Sequence, residues 1–373
     1  MRMTRVMRAA VWATALGLAA ASIPAIAQTP ASAPMKLRFS SAFPQSTNIY
    51  ESYRLWAERV KLLSGGRLDI EISPPGAIVP AFEVLDATHK GVLDGSHSGA
   101  AYWVGKHRAA ALFGVTPGGP FGMDMMDYLG WLHDGGGLEL YQELYQVELK
   151  RNVVVFPLGS VANQVLGWFK TPVKSWEDLK GRKCRETGIT AEVFAKSGMA
   201  TVNMPGGEIV PAAERGAIEC GEWVGPAEDM KIGFHLVWKY FYMPSVHEPS
   251  TVLEMLINGD VWKKMTPDLQ GIMTTAANES TLRSAVLLNR LNADALKEMV
   301  EKHGVKVEKT PEDILKNILK AWDEIAAIEV TKNPFFKKVY DSQRAYAEKV
   351  VPTRRAVYPN YNFSADHYWP EKK

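Results

Sequence analysis

The stretch around which the chain is organised runs from Gly159 to Glu248, and its centre consists of two short segments. The first reads KCRETG at positions 183–188, and the second reads ECGEWVGP at positions 219–226. Turn residues lie at the ends of both segments, so each segment is predicted to contain a brief strand. Arg185 and Glu222, one cation and one carboxylate, stand on these two segments. The rest of the chain is interpreted as a scaffold that places them at the mouth of a cleft.

The flanking sequence predicts an α/β fold with two lobes. Alternation of apolar and polar residues predicts strands over 36–40 and 68–72, with a helix over 50–63 between them. A β-α-β opening favours a largely parallel sheet. Strand character also appears over 152–157, and it resumes over 164–169 as if the chain crossed into a second lobe. A length of 373 residues agrees with two domains, because single cores stop growing at roughly 250–300 residues.

Further strands are predicted over 93–101, 217–223 and 252–258. A long helix begins at Pro267 and continues to about residue 302, which makes it long enough to back both lobes. Another helix is predicted from residue 312 to about 331, a last one from residue 334 to about 350, and an irregular tail after that.

The N-terminus has the features of a cleavable signal peptide over residues 1–27. Arg2, Arg5 and Arg8 precede the apolar run 9–21, and Ala-Ile-Ala at 25–27 fits a cleavage site. An uncleaved anchor is the alternative, although the apolar run is short for a membrane span. Export predicts a periplasmic protein. Without this segment the chain carries 40 basic and 41 acidic residues, and such a balance argues against nucleic acid as a partner.

Signatures of catalysis are missing from the sequence. The eight histidines are scattered, and none lies in an HExxH pattern. The segment GSHSG at 95–99 has His97 where a nucleophile elbow needs serine, and GVTPGG at 114–119 is not followed by the lysine of a phosphate loop. We therefore expect a protein that is not an enzyme.

The central cation and carboxylate each allow two interpretations. Arg185 could bind an organic acid through its planar fork, or it could be a surface arginine paired with Glu177 or Asp178. Glu222, if buried, needs either Arg185 as a salt-bridge partner or a metal ion. Gln164 could add an amide oxygen, and such oxygen ligands suit Na⁺ or Ca²⁺ better than zinc.

Three more side chains follow other strand-like segments: Tyr102, Trp103 and Glu248. They are either site residues or residues of the packed interior and surface. The two cysteines, Cys184 and Cys220, flank the central segments, and they either form a disulfide or remain two buried thiols.

Several motifs together resemble the extracytoplasmic solute-binding proteins of TRAP transporters. The most specific motif is WEDLKGRKCR at 176–185, and the others are GAAYWVGK at 99–106, PFGM at 120–123, MPGGE at 204–208 and ECGEWVGP at 219–226. The resemblance spans residues 36–363. It is strongest to the subgroup that binds 2-oxo and 2-hydroxy monocarboxylates, such as pyruvate or lactate, together with a cation.

The resemblance implies a role for each candidate residue. Arg185 would pair with the ligand carboxylate, and Gln164, Glu222 and the backbone carbonyl of Trp223 would hold Na⁺ or Ca²⁺, which also touches the ligand. Tyr102 would reach the ligand from the first lobe, and Glu248 from the return crossing. Charge balance agrees, because without a cation Glu222 would repel a bound acid in a cleft of low dielectric constant. Cys184, Cys220 and His247 depart from the family pattern.

The resemblance also implies the domain organisation of a periplasmic binding protein with a hinge cleft. Lobe 1 would contain residues 36–157 and 245–288, lobe 2 would contain residues 158–244 and 289–332, and residues 333–363 would form a C-terminal helix and tail. That helix either exchanges between the subunits of a dimer or packs on its own chain. The receptor would deliver its ligand to TRAP permease subunits in the membrane. A secreted metal-dependent hydrolase or lyase that uses Glu222 and a histidine is the alternative function.

Overall fold

Two β-sheets form the framework of the computed structural model, which describes residues 33–114, 116–161 and 163–370. The strands are β1 Met35–Ser41, β2 Leu68–Ser73, β3 Gly95–Ser98, β4 Val153–Ser160, β5 Gly167–Phe169, β6 Lys183–Arg185, β7 Ala200–Val202, β8 Cys220–Gly221, β9 Tyr240–Met243, β10 Val252–Asn258 and β11 Lys306–Lys309. The helices are α1 Asn48–Leu63, α2 Val84–His89, α3 Met125–Asp134, α4 Gly137–Glu143, α5 Gly188–Ala195, α6 Gly206–Glu214, α7 Pro226–Ile232, α8 Phe234–Val237, α9 Gly259–Lys264, α10 Pro267–His303, α11 Glu312–Lys332, α12 Pro334–Val357 and α13 Tyr361–Tyr368.

Both sheets are mixed rather than largely parallel. The first has the order β2-β1-β3-β10-β4, and the second has the order β11-β9-β5-β8-β6-β7. The β-α-β opening is parallel as predicted, since β1 pairs with β2 and β3 in parallel. Strand β10 runs antiparallel to both β3 and β4. It enters the first sheet from the second one, without the crossover helix that makes neighbouring strands parallel, so the prediction of a largely parallel sheet is wrong.

Helix α1 shows how sequence pattern becomes packing. Its apolar residues recur at helical spacing, and the buried ones, among them Tyr53, Trp56 and Val60, face the first sheet. Tyr53 and Trp56 lie against Phe39 of β1 with ring centroids 6.5 and 5.8 Å apart. The Thr47 side chain begins the helix by accepting the backbone N–H of Tyr50 at 3.1 Å.

The predicted long helix is confirmed and extends over 37 residues. At 1.5 Å per residue α10 is about 55 Å long. It packs against β4 and α1 on the side of the first sheet, and against α7, which follows β8 of the second sheet. It ends at Gly304, where φ is 62°.

The strands near the central segments are shorter than predicted. The strand predicted over 164–169 begins only at Gly167, and the one predicted over 217–223 is Cys220–Gly221 alone. A Cβ at Gly167 would lie 2.8 Å from the carbonyl oxygen of Gly221, and its φ is +131°. Glycine is therefore required where β5 begins its antiparallel pairing with β8. Because both strands are so short, Gln164 lies in the loop before β5 and Glu222 lies in the loop after β8.

The C-terminal region is more helical than predicted. Helix α12 continues past Pro352 to Val357, and α13 follows it, so the prediction of an irregular tail from residue 351 is wrong. A proline inside a helix removes one backbone hydrogen bond, and here it does not end the helix. Phe335, Phe336 and Val339 of α12 are buried in the core of their own chain.

The predicted signal peptide, residues 1–27, lies outside the described residues. Within 33–370, leaving aside positions 115 and 162, no helix has both the length and the apolar character that a membrane crossing requires.

Candidate functional site

A cavity of about 50 Å³ lies where loops from the two sheets meet. Its lining comes from residues before α1, from the turn after β3, from the loops around β5, β6 and β8, and from the segment that leads into β10. It contains all six residues to which the resemblance gives a role: Tyr102, Gln164, Arg185, Glu222, Trp223 and Glu248.

Arg185 ends strand β6, and only 1% of it is exposed. Its Nη1 donates to the backbone carbonyl of Glu222 at 2.7 Å and also to the Glu222 carboxylate, while its Nε donates to the Met204 carbonyl at 3.2 Å. Its guanidinium lies 5.4 Å from the ring centroid of Trp223. The alternative of a surface arginine paired with Glu177 or Asp178 is therefore wrong, and the salt bridge to Glu222 is present.

Glu222 follows β8 and is as deeply buried as its partner. Burial raises the pKa of its carboxyl to about 7, although the charge of Arg185 acts in the opposite direction. A carboxylate in this position is held by a single guanidinium and has no access to bulk water. Its charge is therefore sensitive to whatever else enters the cavity.

Gln164 carries an unsatisfied oxygen. Its Nε2 donates to the Glu248 carboxylate and to Thr251 Oγ1, the latter at 3.1 Å. Its Oε1 is buried and has no hydrogen-bond partner among the described residues. An acceptor that is buried without a partner is unfavourable by about 1–3 kcal/mol. This amide oxygen is therefore available to a ligand or a cation.

Glu248 is held in place by Thr190, whose Oγ1 donates to Oε1 at 3.1 Å, and by Gln164. Burial raises the pKa of its carboxyl well above the usual range, and the charge of Glu222 adds to the shift. Sequence reasoning included Glu248 but missed Thr190, which lies on the first turn of α5.

Glu186 is a third buried carboxyl of the cluster, and sequence reasoning missed it as well. It directly follows Arg185, it is buried, and its Oε2 has no partner in the part of the chain that the structure describes. Burial raises its pKa well above the usual range, with a further contribution from Glu222. Its place in KCRETG, immediately after the strand, was the available signal.

The described part of the cluster therefore has three carboxyl groups, Glu186, Glu222 and Glu248, against one guanidinium. Buried charges of one sign are unfavourable unless a counter-charge or proton balances them. No group of three or more His, Cys, Asp and Glu side chains surrounds a single metal position among the described residues. A cation here would thus depend on amide and backbone oxygens as well as a carboxylate, and the orphaned Gln164 oxygen fits that donor set.

Aromatic rings form the other wall of the cavity. Phe43, which sequence reasoning did not nominate, lies 5.9 Å from the Tyr102 ring and 6.1 Å from the Trp223 ring. Tyr102 belongs to the turn Ala100–Trp103, and burial raises its pKa far above the usual value. The indole N–H of Trp103 donates to Glu254 at 2.8 Å, so Trp103 anchors this turn instead of lining the cavity.

The two cysteines form a disulfide, which decides between the two alternatives left open by the sequence. Cys184 and Cys220 are directly paired neighbours on β6 and β8, and both are buried. The bridge joins the strand that carries Arg185 to the strand that precedes Glu222. His247 is buried beside Phe194 and does not line the cavity.

Known proteins resemble this chain over most of its length. The DctP family model, described as bacterial extracellular solute-binding protein, family 7, matches residues 39–332. Among curated proteins, the monocarboxylate 2-oxoacid-binding periplasmic protein of Nostoc sp. is 32% identical over 332 residues, which make up 89% of each chain.

Solved structures extend the comparison to the fold. A TRAP transporter solute-binding protein from Bordetella bronchiseptica, with copurified calcium and picolinate, is 30% identical, with a TM-score of 0.84 over 90% of this chain and 97% of that one. A TRAP periplasmic solute-binding protein from Pseudoalteromonas atlantica, with bound sodium and pyruvate, is 29% identical, with a TM-score of 0.81 over 91% and 100%. A third from Colwellia psychrerythraea, with calcium and pyruvate, is 29% identical, with a TM-score of 0.80 over 90% and 99%.

These matches confirm the predicted two-lobe α/β fold and the predicted resemblance. They give no support to the alternative of a metal-dependent hydrolase or lyase, and the cavity lining includes no histidine among its described residues. The chain belongs to the bacterial extracellular solute-binding proteins of family 7, the solute receptors of TRAP transporters.

Proposed function

We propose that this chain is a periplasmic receptor for a small 2-oxo or 2-hydroxy monocarboxylate, such as pyruvate or lactate. The observation that carries the proposal is the burial of Arg185 in a cavity shared with Glu222 and the orphaned Gln164 oxygen. A buried guanidinium favours a carboxylic acid as the ligand. The oxygen atoms beside it favour a metal cation, which the acid can also coordinate. The acids and ions found with the relatives agree with this chemistry.

Arg185 is the residue that binds the ligand carboxylate. Its Nη1 and Nε already have acceptors, and no partner for Nη2 occurs among the described residues. A carboxylate ligand takes the position of the Glu222 carboxylate against this fork, since guanidinium and carboxylate match in two parallel hydrogen bonds. The guanidinium also lies over the neighbouring Trp223 ring, which stabilises its positive charge.

Glu222, Gln164 Oε1 and the backbone carbonyl of Trp223 are the residues that would hold Na⁺ or Ca²⁺. All three donors are oxygens, which both ions prefer. A bound cation supplies the positive charge that lets Glu222 and the ligand carboxylate remain close together. Glu248 contributes by orienting the Gln164 amide, so that the amide nitrogen faces Glu248 and the oxygen is left for the ion. Tyr102 closes the cavity from the opposite side.

The lobe boundaries complete the proposal. Lobe 1 comprises residues 36–157 and 245–288, and lobe 2 comprises residues 158–244 and 289–332. The cavity lies between segments assigned to both, so rotation about the crossing strands opens and closes it. The ligand selects the closed form, which TRAP permease subunits in the membrane then recognise. Export by the signal peptide at residues 1–27 places the receptor in the periplasm.

A homodimer through residues 333–363 is the second part of the proposal. Although α12 packs on its own chain, the end of this segment exposes large side chains to solvent by 63–85%: Val357 at the last position of α12, and Tyr358, Tyr361 and Phe363 after it. Large exposed apolar side chains that follow one another so closely in sequence are typical of a contact surface. Light scattering of the full chain and of a chain shortened to end at Arg355, which keeps the core residues of α12, tests this, since the same oligomeric state in both would contradict the dimer.

Calorimetry tests the binding proposal. The protein is refolded free of ligand and titrated with pyruvate, lactate, 2-oxobutyrate, succinate and a sugar acid, with and without chelator. We expect tight binding of the 2-oxo or 2-hydroxy monocarboxylates with no consumption of ligand over time. Arg185→Met should abolish binding, whereas Lys183→Met, which removes an exposed charge from the same strand, should not. Unchanged affinity in Arg185→Met would show that the site is assigned wrongly.

A further inference from the structure

Glu228 is a buried carboxyl that the proposed ligand site does not use. It lies on the first turn of α7, six positions after Glu222, and it is 0% exposed. Its Oε1 accepts the backbone N–H of Asn48 at 3.0 Å. Its Oε2 is buried without a partner among the described residues. A carboxyl buried so completely for one hydrogen bond requires an explanation.

Glu228 Oε1 accepts a hydrogen bond from the N-terminus of helix α1. Asn48 is the first residue of this helix, and the first N–H groups of a helix have no partner within the helix. They also form the positive end of the helix dipole, which a carboxylate stabilises. Helix α1 packs against β2 of the first sheet, and Phe43, five residues before it, lines the cavity.

The other side of the contact is fixed to the second sheet. Asp229, the neighbour of Glu228, accepts the backbone N–H groups of Val224 and Gly225 at 3.1 and 2.9 Å. It also accepts the indole N–H of Trp168 on β5 at 2.7 Å. Asp229 therefore ties α7 both to the second sheet and to the loop that carries Glu222. As a result, the bond from Glu228 to Asn48 joins an element of one sheet to an element of the other, beside the cavity.

We infer that Glu228 is a positioning residue that latches α7 onto α1 and so holds the cavity closed around its ligand. The inference rests on the proposed function and adds to it a residue that never touches the ligand. Arg108 also joins the two sides, through Glu192 and Glu329, but its side chain is 27% exposed and theirs are 48% and 14%, and pairs open to water contribute less than buried ones. The bonds of Thr190 and Gln164 to Glu248 join the two sides as well, within the ligand site itself. The bond between Glu228 and Asn48 is screened from water, so its loss destabilises the closed form more than the loss of an exposed pair does. Opening of the cavity breaks the bond between Glu228 and Asn48. The bond therefore slows the release of ligand and leaves the rate of ligand entry unaffected.

The test compares dissociation rates of pyruvate in the presence of Ca²⁺, measured by stopped flow on the full mature chain. In Glu228→Ala the dissociation rate should rise about tenfold while the association rate stays within about twofold, since a hydrogen bond to a charged group is lost. Glu228→Gln retains an oxygen that accepts from Asn48, so its dissociation rate should stay within about threefold of the wild type. Glu312→Ala, an exposed glutamate in the first turn of α11, is the matched control and should have no effect.

A second variant removes the donor in place of the acceptor. Asn48→Pro deletes the N–H at the first position of α1, where proline is well tolerated. The preceding Thr47 has ψ 153°, which is the extended conformation that proline requires before it. Asn48→Pro should also speed release, and the double variant with Glu228→Ala should be no faster than the faster of the two single variants. Fully additive effects would overturn the latch.

The same samples separate failure of the latch from failure of the proposed function. If the wild type binds pyruvate and Glu228→Ala releases it at the wild-type rate, the latch is wrong and the receptor function stands. If the wild type binds none of the acids, the proposed function is wrong, and small-angle scattering without ligand decides on the latch. A larger radius of gyration in Glu228→Ala and Asn48→Pro than in the wild type supports it, and equal radii overturn it.

Discussion

Replacing Glu222 by Gln should remove the dependence of acid binding on a cation. The Glu222 carboxylate accepts a hydrogen bond from Arg185, and the backbone carbonyl of the same residue accepts from Nη1 at 2.7 Å. An incoming acid must displace that carboxylate and then lie close to it. A cation relieves the repulsion, because it binds both carboxylates. In Glu222→Gln the carbonyl bond to Arg185 remains, but the competing charge is gone.

Two quantities set the size of this effect. Two unit charges about 4 Å apart interact by about 4 kcal/mol at an effective dielectric constant of about 20. A hydrogen bond to a charged group adds about 1.5–3 kcal/mol, which the acid must replace when it displaces Glu222. Even a third of this total corresponds to more than a tenfold change, since about 1.4 kcal/mol is a factor of ten. In chelator, the variant should thus bind pyruvate at least tenfold more tightly than the wild type.

With Ca²⁺ present the order should reverse, because only the wild type offers a carboxylate to the ion. Isothermal titration of both proteins with pyruvate, in chelator and in excess Ca²⁺, gives the four affinities that are needed. Glu219→Gln makes the same change of charge three positions earlier, on a partly exposed side chain, and should behave like the wild type. The reasoning is refuted if Glu222→Gln keeps the cation dependence of the wild type, or if it binds no more tightly than the wild type in chelator.

Three further predictions follow from the same geometry. A Cβ at Gly188, where φ is +56°, would lie 3.1 Å from the Ala101 carbonyl oxygen, so Gly188→Ala should weaken pyruvate binding about tenfold, and unchanged affinity in calorimetry would contradict this. The Cys184–Cys220 bridge has a sequence separation of 36, so Cys184→Ser combined with Cys220→Ser should lower the free energy of unfolding by about 3–4 kcal/mol, and urea denaturation of the double variant should no longer respond to reductant. Burial raises the pKa of Glu228 from 4.5 to about 7, so the folded state binds this proton more tightly than the unfolded state. The stability that the proton adds is present below pH 4.5 and is lost as the pH rises through 7. The free energy of unfolding of the wild type relative to Glu228→Gln should therefore fall by up to about 3 kcal/mol between pH 4.5 and pH 8, and a flat difference in urea denaturation would contradict the shift.

Much of the fold could be predicted because it depends on local patterns. The helical spacing before Leu63, the proline that begins α10 and the alternation in β1 and β2 each concern neighbouring residues. The direction of β10 could not be predicted in this way, because it depends on which sheet the chain has just left. The length of β8 was missed for a similar reason, since the close approach of Gly167 to Gly221 involves two segments distant in sequence.

The candidate site was predicted to the level of its residue types and no further. Motif resemblance nominated the six side chains, and the structure brings all of them to one cavity. Glu186 was missed although its place directly after β6 was a signal, and Phe43 was missed because nothing in its own sequence environment separates a buried side chain from a solvated one. No sequence pattern predicts the unsatisfied Oε1 of Gln164, because it depends on the hydrogen bonds that the Gln164 amide nitrogen donates to Glu248 and Thr251.

Taken alone, the salt bridge between Arg185 and Glu222 would suit a purely structural role for both residues. A structural pair, however, needs no further acceptors and no further charge around it, and here two more buried carboxyls and an orphaned amide oxygen lie in the same cluster. Removing a buried pair in favour of apolar residues is often neutral or stabilising, so a chain selected only for stability has little reason to retain this arrangement. A receptor has such a reason, because its empty site must keep an arginine charged and in position without a ligand. Under the proposed function, Glu222 provides an internal carboxylate for that purpose, and the same carboxylate would become a cation ligand when an acid binds. The ion pair is therefore better explained as part of a binding site than as a purely structural contact.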